Sequence, residues 1–192
     1  MHGDVSALGN YMVVNYVGAL RQALIDLSVW VEKGVEPLKR TAYVLGNDGQ
    51  IHPEKNVSRR HGIQAIPTLF ANGEKCARVK VGEYVHFTVD VEVPENAGEV
   101  TEILFSQAEK VQVPASAGTI AQVTMGPEIW DKPLTFEKGI RENVHTAHAE
   151  TVACYDQPGT YFATVRIASN RNGKADPYTQ VLNLDRVRVI VS

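Results

Sequence analysis

The 192-residue sequence lacks most of the features that announce a function. It holds two cysteines, Cys76 and Cys154, too few for a disulfide framework, and the chain is long enough to bury a core without cross-links. Whether the two thiols meet across a pair of sheets or stay apart is open at this point. There is no Cys-x-x-Cys pair, no glycine-rich loop to cradle a phosphate and no internal repeat of useful length. Charge of one sign is also missing: the formal net charge is −3, which gives no surface for a polyanion and argues against nucleic acid as a partner. No basic, apolar and small-residue succession follows Met1, so an exported protein would need a longer precursor, and a soluble cytoplasmic one is the other expectation. The longest apolar-rich stretch, 10–33, is interrupted by Asn15, Arg21, Gln22 and Asp26. Each charged residue costs about 2.5 to 3.5 kcal/mol at a bilayer centre, which excludes a membrane span.

What is present suits a soluble globular protein, with 44% hydrophobic and 21% charged residues, and a length of one ordinary domain plus an extension. The stretch 10–33 reads as a helix, with Ser6 or Asn10 as its cap and Lys33-Gly34, followed by Pro37, as its stop. Val13, Tyr16, Val17, Leu20, Ala23, Leu24, Leu27, Trp30 and Val31 recur at i, i+3, i+4, i+7 spacing, opposite Asn15, Gln22, Asp26 and Lys33. About 24 residues at about 1.5 Å each span roughly 36 Å, longer than a small sandwich easily covers. An apolar stripe of that size marks an interface. The expected partners are another chain, a missing domain, or a second copy in a homodimer, met through Val13, Tyr16, Val17, Leu20, Leu24, Leu27, Trp30 and Val31.

Residues 37–62 lose periodicity and are rich in Pro, Gly, Asn and charge, as a connector would be. Within them, Tyr43-Val44-Leu45 and Ile51 flank Asp48-Gly49 and predict a small hairpin turning on that pair. From Ile63 onward, short runs rich in β-branched and aromatic residues recur at about 8 to 12 residue intervals, separated by turn signals such as Asn72-Gly73, Gly126-Pro127 and Asn170-Arg171-Asn172-Gly173. Strands are expected over 65–71, 76–81, 84–93, 100–105, 120–125, 144–152, 159–169 and 182–191. In the clearest of them, Asp156, Pro158 and Gly159 make a turn. After it Tyr161, Ala163, Val165 and Ile167 alternate with Phe162, Thr164, Arg166 and Ala168, one face for the core and one mostly for water. This is the pattern of an antiparallel β-sandwich preceded by one long amphipathic helix. Phe87, Val89, Tyr161, Ala163, Val165, Val187 and Val189 are expected to point inward.

Two resemblances sharpen this reading. The segment Tyr155-Asp156-Gln157-Pro158-Gly159-Thr160-Tyr161, with the final strand Val187-Arg188-Val189-Ile190-Val191, is similar to the closing half of a PKD-type domain, a small immunoglobulin-like sandwich. Val79-Lys80-Val81-Gly82-Glu83-Tyr84-Val85 resembles the opening of the same module. The resemblance covers about 63–192 and implies an immunoglobulin-like (PKD-type) fold for that domain. Where such domains carry a Trp-Asp-Phe-Gly-Asp-Gly-like element, this chain reads Ile103-Leu104-Phe105-Ser106-Gln107, and Phe105 is the residue available for the aromatic core position. Residues 1–36 carry the second resemblance: His2-Gly3-Asp4 and the helix from Tyr16 to Pro37 are similar to the end of an esterase-type α/β-hydrolase, where a closing helix follows the loop of the triad histidine. That resemblance implies a general-base role for His2. No Gly-x-Ser-x-Gly elbow occurs in the sequence, so nucleophile and oxyanion donors would come from an upstream segment or another chain.

Other candidate chemistry is sparse. His145 and His148 lie near Glu142, Glu150 and Cys154, but residues three apart on a strand point to opposite faces, so no metal site is expected there. Asp176, Asp185, Glu95 and Glu99 sit near turns, where carboxylates ordinarily serve the turn itself. No cofactor is expected. Three functional readings follow: a non-catalytic accessory or interaction module associated with an esterase-like hydrolase, a C-terminal piece of that hydrolase delivering His2, or a free-standing homodimeric sandwich. The isolated chain is expected to lack hydrolase activity, since a histidine without nucleophile and oxyanion donors stabilises no transition state.

Overall fold

The computed structural model describes residues 14–107 and 132–192. His2, Val13, the helix caps expected at Ser6 or Asn10 and the strand expected over 120–125 lie outside these residues. The helix α1 (Val17–Lys33) begins at Val17 rather than Asn10, because the Asn15 side chain accepts the Val17 N–H at 3.0 Å and sets the first turn there. It ends as its sequence demands. Gly34 adopts the left-handed conformation with φ 69° and donates its N–H to the Trp30 carbonyl at 2.9 Å.

The connector carries the expected hairpin and, beyond it, one turn of helix. Strands β1 (Tyr43–Leu45) and β2 (Ile51–Pro53) form a hairpin whose corners are Asn47 and Asp48, closed by Gly49 N–H to Gly46 carbonyl at 3.0 Å. Gly49 follows the corner at φ 73°, rather than Asp48-Gly49 making the turn as a two-residue unit. A single helical turn α2 (Val57–Arg60) is capped by Asn56, which accepts from Arg59 N–H, and buries Val57.

The remaining strands are β3 (Ile66–Ala71), β4 (Cys76–Val79), β5 (Tyr84–Val93), β6 (Glu99–Ser106), β7 (Lys132–Pro133), β8 (Glu137–Arg141), β9 (Val144–Cys154), β10 (Gly159–Asn170) and β11 (Val181–Val191). Among the described residues they make two sheets, ordered β3-β5-β9-β8 and β4-β11-β10-β6-β7. The molecule is mainly β, and its pairings are antiparallel except that β4 runs parallel to β11, with Ala77 opposite Val189. The two sheets share one core. Phe87 of the first and Phe105 of the second pack as a tilted pair with ring centroids 4.9 Å apart, and Phe105 is buried as its place in the sequence suggests. Phe87, Val89, Tyr161, Ala163, Val165, Val187 and Val189 are all buried.

Two features depart from the strand-by-strand reading. Asn72 and Gly73, at φ 50° and 80°, form a tight turn held by reciprocal Ala71 and Glu74 backbone hydrogen bonds of 2.9 Å. The hairpin stops at that one bridge: β3 goes to β5 in one sheet, β4 to β11 in the other. Asp185 of β11 holds the crossing, accepting from Leu69 N–H at 2.7 Å and pairing with Lys75 Nζ at 2.6 Å. The outer face of β10 is also drier than alternation implies, with Thr164 and Ala168 buried. Cross-strand neighbours account for Ala168. Glu102 and Leu104 on β6 and Leu182 and Leu184 on β11 lie beside Ala168 and Arg166 in register, so long side chains roof short ones at the centre of the sheet.

Candidate interaction surface

The sequence places the apolar side of α1 toward a cover and its polar side toward water. In the structure the polar side meets the sandwich, and the apolar side stands clear of the described residues. Gly18 and Gln22 are the buried residues of the helix, and with Asp26 they face the sandwich. Gly18 is needed there, since a Cβ at that position would fall 1.9 Å from the Gln180 carbonyl oxygen. Further along the same face, Gln22 Nε2 donates to Asp26 Oδ1 at 3.1 Å, and Asp26 forms a two-pronged pair with Arg171, whose Nη2 lies 3.0 Å from Oδ2. Burial pushes the Asp26 carboxyl up, but the hydrogen bonds from Arg171 and Gln22 outweigh it and hold the group below the usual carboxylate range. At the helix start, Arg21 lies 5.1 Å over the Tyr178 ring and donates to the Tyr178 carbonyl at 3.4 Å.

The receiving side of this clasp is the connection between β10 and β11. It is itself well tied. Asp176 accepts from Tyr178 N–H at 2.9 Å and from the Thr179 hydroxyl at 2.8 Å, and Thr179 in turn accepts from Asn170 Nδ2 at 2.9 Å. These hydrogen bonds hold the Asp176 carboxyl below its ordinary value. Gln22, Asp26 and Asn15 look in the sequence like the solvent face of an amphipathic helix, and Arg171 like an ordinary turn residue. The one local hint of a close approach is a glycine at position 18 inside a helical run.

With the polar face docked, the apolar stripe points outward. Tyr16, Val17, Leu20, Leu24, Leu27, Trp30 and Val31 are all exposed, Leu24 at 59% and Val31 at 78%. Nothing among the described residues covers them. Each large side chain so exposed forgoes about 1.5 to 3 kcal/mol of burial, so the stripe as a whole withholds several kcal/mol from the isolated chain.

The other sequence candidates do not come together. His148 points outward on β9, with Nδ1 at 2.8 Å from Asp90 Oδ1 and Nε2 at 3.4 Å from Glu150 Oε1. The Asp90 hydrogen bond raises its pKa, Glu150 adds to the rise, and partial desolvation opposes both. His145 sits three residues back, paired in register with Val93 on β5 and Ile140 on β8, off that cluster. Glu99 is engaged by Lys138 Nζ at 3.0 Å and Asp185 by Lys75, each carboxylate serving a neighbour. Among the described residues, no group of three His, Cys, Asp or Glu side chains is arranged to hold a metal ion. Cys76 and Cys154 are free thiols on different sheets, Cys76 Sγ lying 3.2 Å from Arg188 Nε. Among the described residues, no helix is long and apolar enough to cross a membrane.

No protein-family model matches the sequence, and no curated protein does. Among solved structures, the chain is similar to a variant of BcpA, the major pilin subunit of Bacillus cereus, at 15% identity and a TM-score of 0.34. The match covers 80% of this chain and 48% of that one, so the chain spans about half the pilin's length.

Proposed function

We propose that this protein is a non-catalytic interaction module, in which an immunoglobulin-like sandwich of the PKD type carries α1 as its binding face. The observation behind this reading is the direction of the helix: polar residues hold it to the sandwich and leave Leu20, Leu24, Leu27 and Val31 outward. The strand order supports the immunoglobulin-like part. Taken along the chain, β3, β5, β9 and β8 occupy the places of strands A, B, E and D, and β6, β10 and β11 those of C, F and G. Tyr161, near the start of β10, donates its hydroxyl to the Gln157 carbonyl at 2.8 Å, the bond of a tyrosine corner at the entry to strand F. The likeness of residues 2–4 and 16–37 to the end of an esterase makes an α/β-hydrolase the enzyme such a module would accompany.

The test is association together with activity. Purified protein should turn over no ester substrate, and it should form a complex either with its own copies or with a hydrolase domain encoded in the same gene product or beside it. The double variant Leu20→Glu, Leu24→Glu should keep a cooperative sandwich melt and lose that complex. Ester turnover retained in His2→Ala, or a parent that forms neither complex, would overturn the reading.

A further inference from the structure

The short strand β4 brings two arginines and a row of backbone groups to one open edge. Cys76 and Arg78 share its outer face, and Arg188 stands on the neighbouring β11 directly opposite Cys76. Arg188 Nε donates to Cys76 Sγ at 3.2 Å, so its guanidinium leans across β4 toward the open side of the sheet. Arg78 and Arg188 are both exposed, and among the described residues neither is paired with a carboxylate. Two cationic heads therefore stand at the positions of Cys76 and Arg78, about 7 Å apart, which is the spacing of alternate residues on a strand. The backbone of β4 is open on the same side, because β4 is the last strand of its sheet. The Lys75 carbonyl accepts from Arg188 N–H at 3.2 Å, the Val79 carbonyl from Ser192 N–H at 3.0 Å, and Val81 N–H donates to the Ser192 carbonyl at 3.1 Å. The odd-numbered residues of this run thus bond to β11. By alternation the N–H and C=O groups of Cys76 and Arg78 point off the sheet, where no described strand takes them.

We infer that this edge takes up an extended acidic peptide as an added strand, with carboxylates at alternate positions against Arg188 and Arg78. Two features select that occupant. The edge backbone groups are satisfied by another polypeptide backbone, whereas a nucleic acid or a glycan has no alternating row of N–H and C=O to offer them. The arginines then fix the sign of the strand, since each matches a carboxylate through two parallel hydrogen bonds and repels a basic side chain set opposite it. Charged side chains ordinarily blunt an edge against pairing; two cations without a carboxylate beside them do so against basic strands while inviting an acidic one. The surface is separate from the proposed binding face of α1. That helix docks at Gln180, beside the start of β11, and Arg188 lies near the other end of that strand, about 25 Å away.

The probe is a fluorescent peptide of alternating aspartate and valine, about eight residues long, titrated into the full chain under reducing conditions and followed by anisotropy. Saturable binding is expected, weakened by added salt and weakened about tenfold by Arg78→Ala and by Arg188→Ala. Both side chains are exposed, so these variants should keep the parent's melt. Arg186→Ala is the control: Arg186 shares the face and the charge, but the pairing of β11 with β4 begins only at Arg188, so binding should be nearly unchanged. Hydrogen exchange reads the mode of binding. On adding the peptide, the Cys76 and Arg78 amides should gain protection. Of two peptides N-methylated at alternate residues, in opposite phases, one should fail to bind. No binding by the parent, equal binding of an oligothymidylate of the same charge, or peptide binding that leaves those two amides unprotected would each overturn the added strand, while leaving the reading of α1 untouched.

Discussion

The sandwich and the helix hold themselves in place by opposite means. In the sandwich, apolar faces of two sheets close on each other around Phe87, Phe105, Val165 and Val189, and the polar groups are left to the outside. In the helix the polar side is the one tied down, through Gly18, Gln22, Asp26 and Arg171, and the apolar side is left open. A sheet pair earns its stability internally, because strands with alternating residues supply both halves of the contact. A single amphipathic helix supplies one half. When the docking site offers a carbonyl and an arginine rather than an apolar groove, the helix binds by those and leaves its apolar side exposed.

The contrast can be broken at its strongest point first. Phe87→Ala empties the centre of the shared core and should cost about 3 to 5 kcal/mol, read as a fall in the urea midpoint for the whole sandwich. Gly18→Ala tests the other region. Alanine raises intrinsic helix propensity by about 1 kcal/mol relative to glycine, but its Cβ would collide with the Gln180 carbonyl. The α1 amides should therefore lose hydrogen-exchange protection while those of β10 and β11 keep theirs. If α1 gains protection, the close approach at Gln180 is wrong.

Smaller effects sharpen the comparison. Arg171→Ala removes the partner of Asp26 and should weaken helix docking by about 1 kcal/mol or less. Because the folded Asp26 carboxyl is held low, its contribution is present above the ordinary carboxylate range and lost as pH falls through the folded value. The parent should thus show an acid-induced loosening of α1 that the Arg171→Ala variant lacks, visible in α1 exchange rates as pH falls below the ordinary carboxylate value of about 4. The smallest effect belongs to the sandwich surface. His148 has its pKa raised by Asp90 and Glu150, so its stabilisation is complete below about pH 6.5 and fades as pH rises through the folded value. His148→Gln should lower the melting temperature slightly at pH 5.5 and leave it unchanged at pH 8.5, a solvent-screened effect well under about 1 kcal/mol.

Much of the sandwich was legible in the residues. The alternation over Tyr84–Val93 and Gly159–Asn170, and the turn at Asp156-Pro158-Gly159, carry their own periods, and the inward set from Phe87 to Val189 follows from them. The parallel pairing of β4 with β11 was not legible. Asn72-Gly73 is a local hairpin signal, and nothing within a few residues of it says that the strand beyond will leave for the other sheet, where Asp185 waits. The helix shows the same division. Its existence, its stop at Gly34 and its stripe lie in the order of residues 17–34, whereas its orientation depends on Gln180 and Arg171, about 150 positions away.

The amino-acid sequence by itself determined where the longer strands form, which residues of Tyr84–Val93 and most of Gly159–Asn170 face the core, and that one helix carries an apolar stripe, whereas β7 and β8 were not among its signals. All of these rest on periods of two or of about 3.6 residues that neighbouring side chains enforce on one another. The tertiary structure alone decided that β3 and β4 part company between sheets, that Ala168 lies between the longer Leu182 and Glu102, and that α1 turns its polar side inward. Each of those outcomes is a choice among distant partners, made by whether a carbonyl, a carboxylate or an arginine stands within reach once the sheets have closed.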